Sequence, residues 1–423
     1  MKKIFNILRK SQDNPLMTSI DIGSSKIACV ICSKTKENKK INVLGLGQHA
    51  SIGFDSGTVT NAEKLSLCIG NAISTAEKMA GISVNDAIIV INGGQQSSEI
   101  FSSEISVAGN DISEWDIHRL LNNAIKNASN DNRTILHAIP IRYKLDGSTA
   151  IRNPLGMIAD KLYAEINICS IRESALSNIA RVIEKNHIKV KKFISSSLAN
   201  GVGCLLNEEK SLGAIVIDLG ASTSNVGVFL DNCLNYSFEI PIGGNHISKD
   251  IASGLATPLM DAERVKVLNG NLFSSYNSFE TINIPTLGDD PSNLVQKVSS
   301  GLLNEIIKSR TLEILELISS KLKSSNFNHI AVTKVVFTGG GSLLTGLSEI
   351  ASDNIAKHVR IGKPIRLQGM PDAAFNPFFT SLIGSIYSDL YFKKTYTENS
   401  KFIKSQKNMG GLYKIYQWLE THV

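Results

Sequence analysis

Two short stretches of the chain place a carboxylate just ahead of small and hydroxyl-bearing residues: Asp21-Ile22-Gly23-Ser24-Ser25-Lys26 and Asp218-Leu219-Gly220-Ala221-Ser222-Thr223. Apolar, β-rich runs flank both, so each reads as strand, tight turn, strand, with small residues where only small side chains fit. Backbone N–H groups and hydroxyls at such a tip make a nest for phosphate oxygens. Two tips facing each other would grip a polyphosphate, with Ser24, Ser25 and Lys26 on one side and Ser222 and Thr223 on the other. Asp21 and Asp218 then suit a Mg²⁺ held through its waters, since magnesium keeps several waters and binds through one or two carboxylates. A single copy is an ordinary β-turn with a capping aspartate. Two copies roughly 200 residues apart fit a chain of two similar lobes with a cleft between them.

A third motif is Val336-Phe-Thr338-Gly339-Gly340-Gly341-Ser342-Leu-Leu-Thr-Gly-Leu347, a strand running into three glycines and then a helix start. Glycines in succession let backbone approach a flat or charged ligand, and a helix N-terminus favours anionic groups.

The elements that must hold these motifs are mixed α/β. After the first hairpin come a strand at Ile41–Gln48, an amphipathic helix at Ala62–Gly81 and a strand at Ala87–Asn92. Strand-like runs at 86–92, 134–141 and 162–169, with a helix near Glu114–Asn127, mark the block from about 84 to 165 as a small subdomain. Helices are expected over Ala252–Asn269, Val298–Lys323 and Phe378–Leu390, a strand at Lys334–Phe337, and a polar loop from Tyr276 to Asn293.

Composition narrows the class. With 423 residues, 42% apolar and 19% charged, the chain needs more than one core and has a globular balance. The charge of +6 is spread along it with no Lys/Arg cluster interleaved with aromatics, so no nucleic-acid partner is expected. Six cysteines, most of them inside apolar runs, suit a reducing compartment. Cys29 and Cys32 form a C-x-x-C, but strand alternation puts them on opposite faces, as packed core thiols. Arg9 and Lys10 end a short N-terminal apolar stretch, which leaves no export signal, and no apolar run is long enough to span a bilayer.

From Lys393 to Met409 the sequence is polar, basic and linker-like. Beyond Gly410 and Gly411, a helix would gather Leu412, Ile415, Tyr416, Leu419 and Val423 on one face, with Trp418 on its flank. Six lysines and two glutamates give residues 393–423 a net +4. That combination suits the boundary of an anionic phospholipid membrane, bound weakly by one copy and more firmly by a polymer of copies.

In their order, the three glycine motifs resemble the first phosphate, second phosphate and adenosine motifs of the actin, Hsp70 and sugar-kinase superfamily. Within it, the stretch from Gly243-Gly-Asn245-His-Ile-Ser to Leu-Asn-Gly270 resembles the FtsA family, as does the segment Arg133–Leu155 with Leu136-His-Ala-Ile-Pro and Asn153-Pro-Leu-Gly. The resemblance covers essentially the whole chain. It implies an α/β, two-lobed actin-like ATPase fold with an inserted 1C subdomain and a C-terminal amphipathic helix. The implied partition is lobe 1 at 1–83 and 166–195, the 1C subdomain at 84–165, lobe 2 with the return to lobe 1 at 196–392, a linker at 393–409 and the membrane helix at 410–423. ATP and Mg²⁺ are the implied ligands. Gly243 and Asn245 would join the nucleotide site, and Glu263 and Lys266, which share a helical face at i, i+3, would line its adenosine side.

The implied role is to tether FtsZ polymers, through the FtsZ C-terminal peptide, to the cytoplasmic side of the inner membrane at the division septum. Self-assembly into filaments and contacts with other division proteins through residues 84–165 belong to the same resemblance. The family's second phosphate loop is usually richer in glycine and ends in Asp, whereas this chain has Ala221, Ser222 and Asn225, so slow ATP turnover at most is expected. A PilM-like scaffold of a pilus or secretion machine is one alternative, and the terminal amphipathic helix speaks against it. A sugar-kinase-type phosphotransferase is another, but the chain offers no evident catalytic base for a substrate between the lobes.

Overall fold

The computed structural model describes residues 15–35, 40–129, 132–273, 280–287, 295–325, 327, 334–356 and 358–391. The linker and the amphipathic segment, with Leu412, Ile415, Tyr416, Trp418 and Leu419, lie outside the described residues.

Two five-stranded sheets are built to one plan. In the first, the hairpin Leu16–Ile22 and Lys26–Lys34 continues into Ile41–Ala50, while Asp86–Ile91 and then Lys189–Ser195 add in parallel on the other side of Leu16–Ile22. In the second, Ala214–Leu219, Ser224–Leu230 and Cys233–Ile240 form the antiparallel half, and Lys334–Thr338 and His358–Ile361 the parallel half. Numbered within its own lobe, each sheet runs 3-2-1-4-5, the duplicated arrangement that the two aspartate motifs suggested. The strands that carry Asp21 and Asp218 are both central and buried on both faces; Ala214–Leu219 is accordingly apolar up to its aspartate, while Leu16–Ile22 also buries Thr18 and Ser19.

The helix Ala62–Ala80 packs its buried face of Leu65, Ile69, Ala72, Ile73 and Ala76 on the first sheet. Asn61 caps its start by accepting from Lys64 N–H, and Gly81, at φ 67°, ends it in the left-handed conformation that glycine adopts at least cost. Cys29 joins the core under this helix, while Cys32 joins the core on the opposite face, as alternation requires.

Strand Asp86–Ile91 belongs to the first lobe's sheet, so the inserted unit starts later than position 84. It consists of Ser97–Asp111, helix Glu114–Ala128, Arg133–Leu145 and Ile158–Arg172, in a three-stranded sheet with the last strand central. The 15-residue strand Ser97–Asp111 was not expected, because its serines and glutamates leave only a faint apolar alternation around Ile105 and Val107.

Three other expectations change. Helix 252–269 is two helices, Gly244–Gly254 and Leu259–Asn269, because Pro258 disfavours helical backbone at Thr257 and Ala256 sits at φ 45°. The polar loop 276–293 contains the strand Thr281–Pro285, paired with Val295–Ser299. The glycines after Thr338 lead first into a 3-10 turn, Gly340–Leu343; the α-helix starts only at Leu347, after Gly346 at φ 85°.

Helices Ser196–Cys204 and Thr380–Tyr391 cross between the lobes. A Cβ on Gly384 would lie 1.8 Å from the Ala199 carbonyl, and one on Gly203 would lie 2.5 Å from the Thr380 carbonyl, so glycine on both sides permits the close crossing. This crossing sets the start of Thr380–Tyr391 against both lobes.

Candidate functional site

The two hairpin tips and the triple-glycine turn line one cleft between the lobes, with a cavity of about 270 Å³. Gly23, Ser24, Ser25 and Lys26 line it from the first tip, and Gly220, Ala221, Ser222 and Thr223 from the second. Gly339, Gly340 and Gly341 form a third wall, and Asn245, Glu263 and Lys266 a fourth. Gly243 and Ser342 are placed behind that lining. A Cβ on Gly243 would come within 2.5 Å of the Gly220 carbonyl, so its bareness lets the helix start nestle on the second tip. Ser342 turns its hydroxyl back to the Gly339 carbonyl at 2.7 Å, closing the 3-10 turn.

Each tip is held by its own backbone. Gly23 N–H donates to the Lys26 carbonyl at 2.9 Å, and Gly220 N–H to the Thr223 carbonyl at 3.0 Å. The second tip is also tied to the next helix: Gly244 N–H donates to the Gly220 carbonyl and Asn245 N–H to the Ala221 carbonyl, at 2.8 and 2.7 Å.

Asp21 and Asp218 are buried at the two tips. Asp21 accepts from Asn92 Nδ2 at 2.5 Å and from Ser381 Oγ at 2.6 Å, and Asp218 accepts from Asn200 Nδ2 at 2.9 Å. Burial raises the Asp21 carboxyl above its ordinary range, against the pull of Lys26, Ser381 and Asn92. Burial, joined by the negative charge of Asp21, pushes Asp218 up to about 7, while Asn200 and Lys26 pull it down. Lys26 is drawn down to about 8 by burial, with both aspartates acting the other way. Its Nζ donates to the Phe378 carbonyl at 2.5 Å and lies 4.1 Å from the centre of the Phe379 ring. Two carboxylates thus share one cation in a low-dielectric site, and a divalent cation would relieve the surplus of negative charge.

On the far wall Lys266 Nζ donates to the Gly244 carbonyl and to Ser248 Oγ, both at 2.9 Å, and pairs with Glu263 Oε2 at 2.6 Å. The i, i+3 pair is therefore tied into the helix Gly244–Gly254, and side chains and backbone there are pre-set for polar contacts.

Asn92, Asn200, Phe378 and Ser381 also line the cleft and were not expected from sequence. Asn92 follows the carboxyl end of a parallel strand, where open α/β sheets place ligand contacts, and that signal was available. Ser381 and Asn200 carried none, because only the helix crossing brings them to the aspartates.

A family model described as "Cell division protein FtsA" matches residues 215–384, and one described as "SHS2 domain inserted in FTSA" matches residues 93–170. The chain is 32% identical over 422 residues to the cell division protein FtsA of Agrobacterium fabrum, covering 97% of this chain and 95% of that one. FtsA of Rhizobium meliloti is 30% identical over 97% of this chain and 95% of its own, and FtsA of Escherichia coli is 28% identical over 89% and 91%. Among solved structures, a PilM–PilN type IV pilus biogenesis complex has a similar fold, with a TM-score of 0.63 at 12% identity over 88% of this chain and 97% of that one. MreB5 of Spiroplasma citri bound to ADP gives a TM-score of 0.53 at 13% identity over 93% and 99%. At those identities the structures speak to the two-lobed actin-like fold alone. Sequence identity that runs almost end to end, together with the matched inserted domain, is what shows that the chain belongs to the FtsA family of cell division proteins.

Proposed function

We propose that the chain binds MgATP between its two lobes and, as a filament, tethers FtsZ polymers to the cytoplasmic face of the inner membrane at the septum. The observation that carries the nucleotide reading is the convergence of both aspartate tips and the triple-glycine turn on one cleft. Backbone N–H groups and hydroxyls of residues 24–26 and 221–223, on tips closed by Gly23 and Gly220, would hold the phosphates, Gly339–Gly341 would lie against the base or ribose, and Glu263 and Lys266 would fix the adenosine side. The MreB5 structure that shares the fold is described as ADP-bound, which supports a nucleotide as the ligand.

Asp21 and Asp218 would hold Mg²⁺. Among the described residues no three His, Cys, Asp or Glu side chains gather to make a metal site, so phosphate and water would complete the ion's ligands. The ion would supply charge neutralisation on the phosphates. Asn225, paired opposite Asp218 in the hairpin, bonds through its amide to Thr223 Oγ1 at 3.4 Å and brings no carboxylate to the second tip. Binding with slow turnover is therefore the expected behaviour, and an ATPase rate of tens per second, ordinary for dedicated phosphotransfer enzymes, would contradict it.

The membrane role rests on the sequence of residues 393–423, the FtsZ, self and division-protein partners on the family. The functional units we assign are lobe 1, the inserted 1C subdomain, lobe 2, the linker 393–409 and the membrane helix 410–423. Co-sedimentation with anionic vesicles, with and without MgATP, tests the tether: the full chain should pellet with vesicles and carry FtsZ with it, and a chain ending at Tyr396 should remain in solution. Equal pelleting of both would leave the tail without a membrane role.

A further inference from the structure

Behind the cleft, the root of the inserted subdomain is gripped from both lobes. The chain leaves strand Asp86–Ile91 through Asn92 and then turns with Gly93, Gly94 and Gln95 all at positive φ, 85°, 84° and 57°. A side-chain-bearing residue resists that conformation, so something must hold Gln95 in it. The peptide group joining Gln95 to Gln96 is held at both ends: its oxygen accepts from Arg133 Nη2 at 2.8 Å, and its N–H donates to Glu239 Oε2 at 3.1 Å. Gln96 Nε2 closes the turn onto the Ile91 and Gly93 carbonyls, each at 3.0 Å.

This turn is wired to the first phosphate tip. Asn92 Nδ2 bonds Asp21, Gly94 N–H donates to the Ser56 carbonyl at 3.2 Å, and Ser56 N–H donates to Ser24 Oγ at 3.2 Å. Glu239 is wired to the second. It sits on the edge strand Cys233–Ile240 directly opposite Asn225, which in turn sits opposite Asp218. The three side chains form one cross-strand row and share a face of the sheet. Of the other contacts between the insertion and the second lobe, Cys169 Sγ to Ser237 Oγ at 3.7 Å lies two residues along the edge strand from Glu239, while Asn167 Nδ2 to the Leu234 carbonyl at 2.9 Å and the Arg152–Asp231 pair lie at the end away from the cleft.

We propose that Glu239 is a positioning residue for nucleotide, anchoring the Gln95–Gln96 turn to the second lobe and so fixing the separation of the two phosphate tips. The inference rests on the nucleotide reading above, but the anchoring itself concerns the ligand-free chain. A carboxylate accepting a partly buried backbone N–H makes a charge-assisted bond, stronger than a neutral one, and losing it leaves the turn held by Arg133 alone at the Gln95–Gln96 peptide.

The test uses the full chain with Glu239→Ala, the near-isosteric Glu239→Gln, and Asn167→Ala as a control that removes an interlobe hydrogen bond away from the cleft. Spin labels on exposed Lys64 and Ser352, in separate lobes, report the interlobe distance without nucleotide; hydrogen exchange reports the Gln96 amide; equilibrium titration reports MgATP affinity. In Glu239→Ala the distance distribution should broaden, Gln96 should exchange faster, and MgATP binding should weaken about tenfold, the effect of one lost charge-assisted bond. Glu239→Gln should move the same readouts less, and it carries the test alone if the alanine variant does not fold. Asn167→Ala should leave all three readouts unchanged. An unchanged distance distribution in both Glu239 variants would overturn the proposal, as would a broadened one with MgATP affinity intact. If the wild-type chain binds no MgATP, the nucleotide reading fails separately, and the distance distribution still decides whether Glu239 sets the gap between the tips.

Discussion

Ser381 donates its hydroxyl to Asp21 at 2.6 Å, joining the start of helix Thr380–Tyr391 to the first aspartate tip. Neighbouring positions of that helix repeat the connection: Thr380 meets Thr338 Oγ1 at 2.7 Å in the second lobe, and Ser385 meets Ser19 at 2.5 Å in the first. One helix therefore touches both halves of the cleft floor. Ser381→Ala should leave a buried carboxylate short of a donor and cost about 1–3 kcal/mol. Urea unfolding of the ligand-free chain checks the stability, and MgATP titration should show weakened binding; unchanged values in both would separate Ser381 from the site.

Gly339 stands at φ 80°, and a Cβ there would lie 2.2 Å from Asp218 Oδ1. Gly339→Ala therefore puts alanine in a backbone conformation, φ 80° and ψ 173°, that is essentially glycine's alone, and adds a collision against a buried carboxylate, a loss of about 2 kcal/mol or more. Thermal melting should report it, and nucleotide binding should fall with it. An alanine variant that melts and binds like the wild type would contradict the tight wall described for this turn.

His137 couples the inserted sheet to the first lobe by accepting from Ser195 N–H at 3.0 Å through Nε2. Burial lowers its pKa to about 3, helped by the positive charge of Lys192. The unfolded chain takes up this proton below about 6.5, the ordinary histidine value, and the folded chain does so only near 3. The neutral ring is thus fully accommodated above that window, and stability should fall as pH drops from about 6.5 towards 3, by up to roughly 1.4 kcal/mol per unit. Unfolding free energies at a series of pH values check this, with His137→Gln expected to flatten the slope. An equal slope in both proteins would assign the acid sensitivity elsewhere.

Much of the site is written locally. Asp21 and Asp218 each sit near the end of a buried strand and before a turn of small residues, and that pattern is enough to place both tips and to imply duplicated lobes. The long strand Ser97–Asp111 is hidden because its exposed face is so polar, and the helix break at Pro258 is hidden because apolar residues continue across it. Ser381, Asn200 and Glu239 are invisible for another reason: their roles exist only after the glycine crossing at Gly203 and Gly384 and the docking of the insertion bring distant segments together.

The cleft's charge balance yields a prediction for nucleotide binding and its dependence on magnesium. Burial, joined by the negative charge of Asp21, pushes Asp218 up to about 7, so the ligand-free cleft disfavours its charged form. Calorimetric titration of ATP into the full chain, with and without Mg²⁺, against Asp218→Asn decides whether the cleft holds MgATP in this way. The wild type should bind one ATP per chain saturably, and more tightly with Mg²⁺; Asp218→Asn, which keeps Asp21, should bind more weakly and gain less from Mg²⁺. No saturable binding by the wild type, or the same response to Mg²⁺ in the variant, would show that the cleft does not hold MgATP through Asp218.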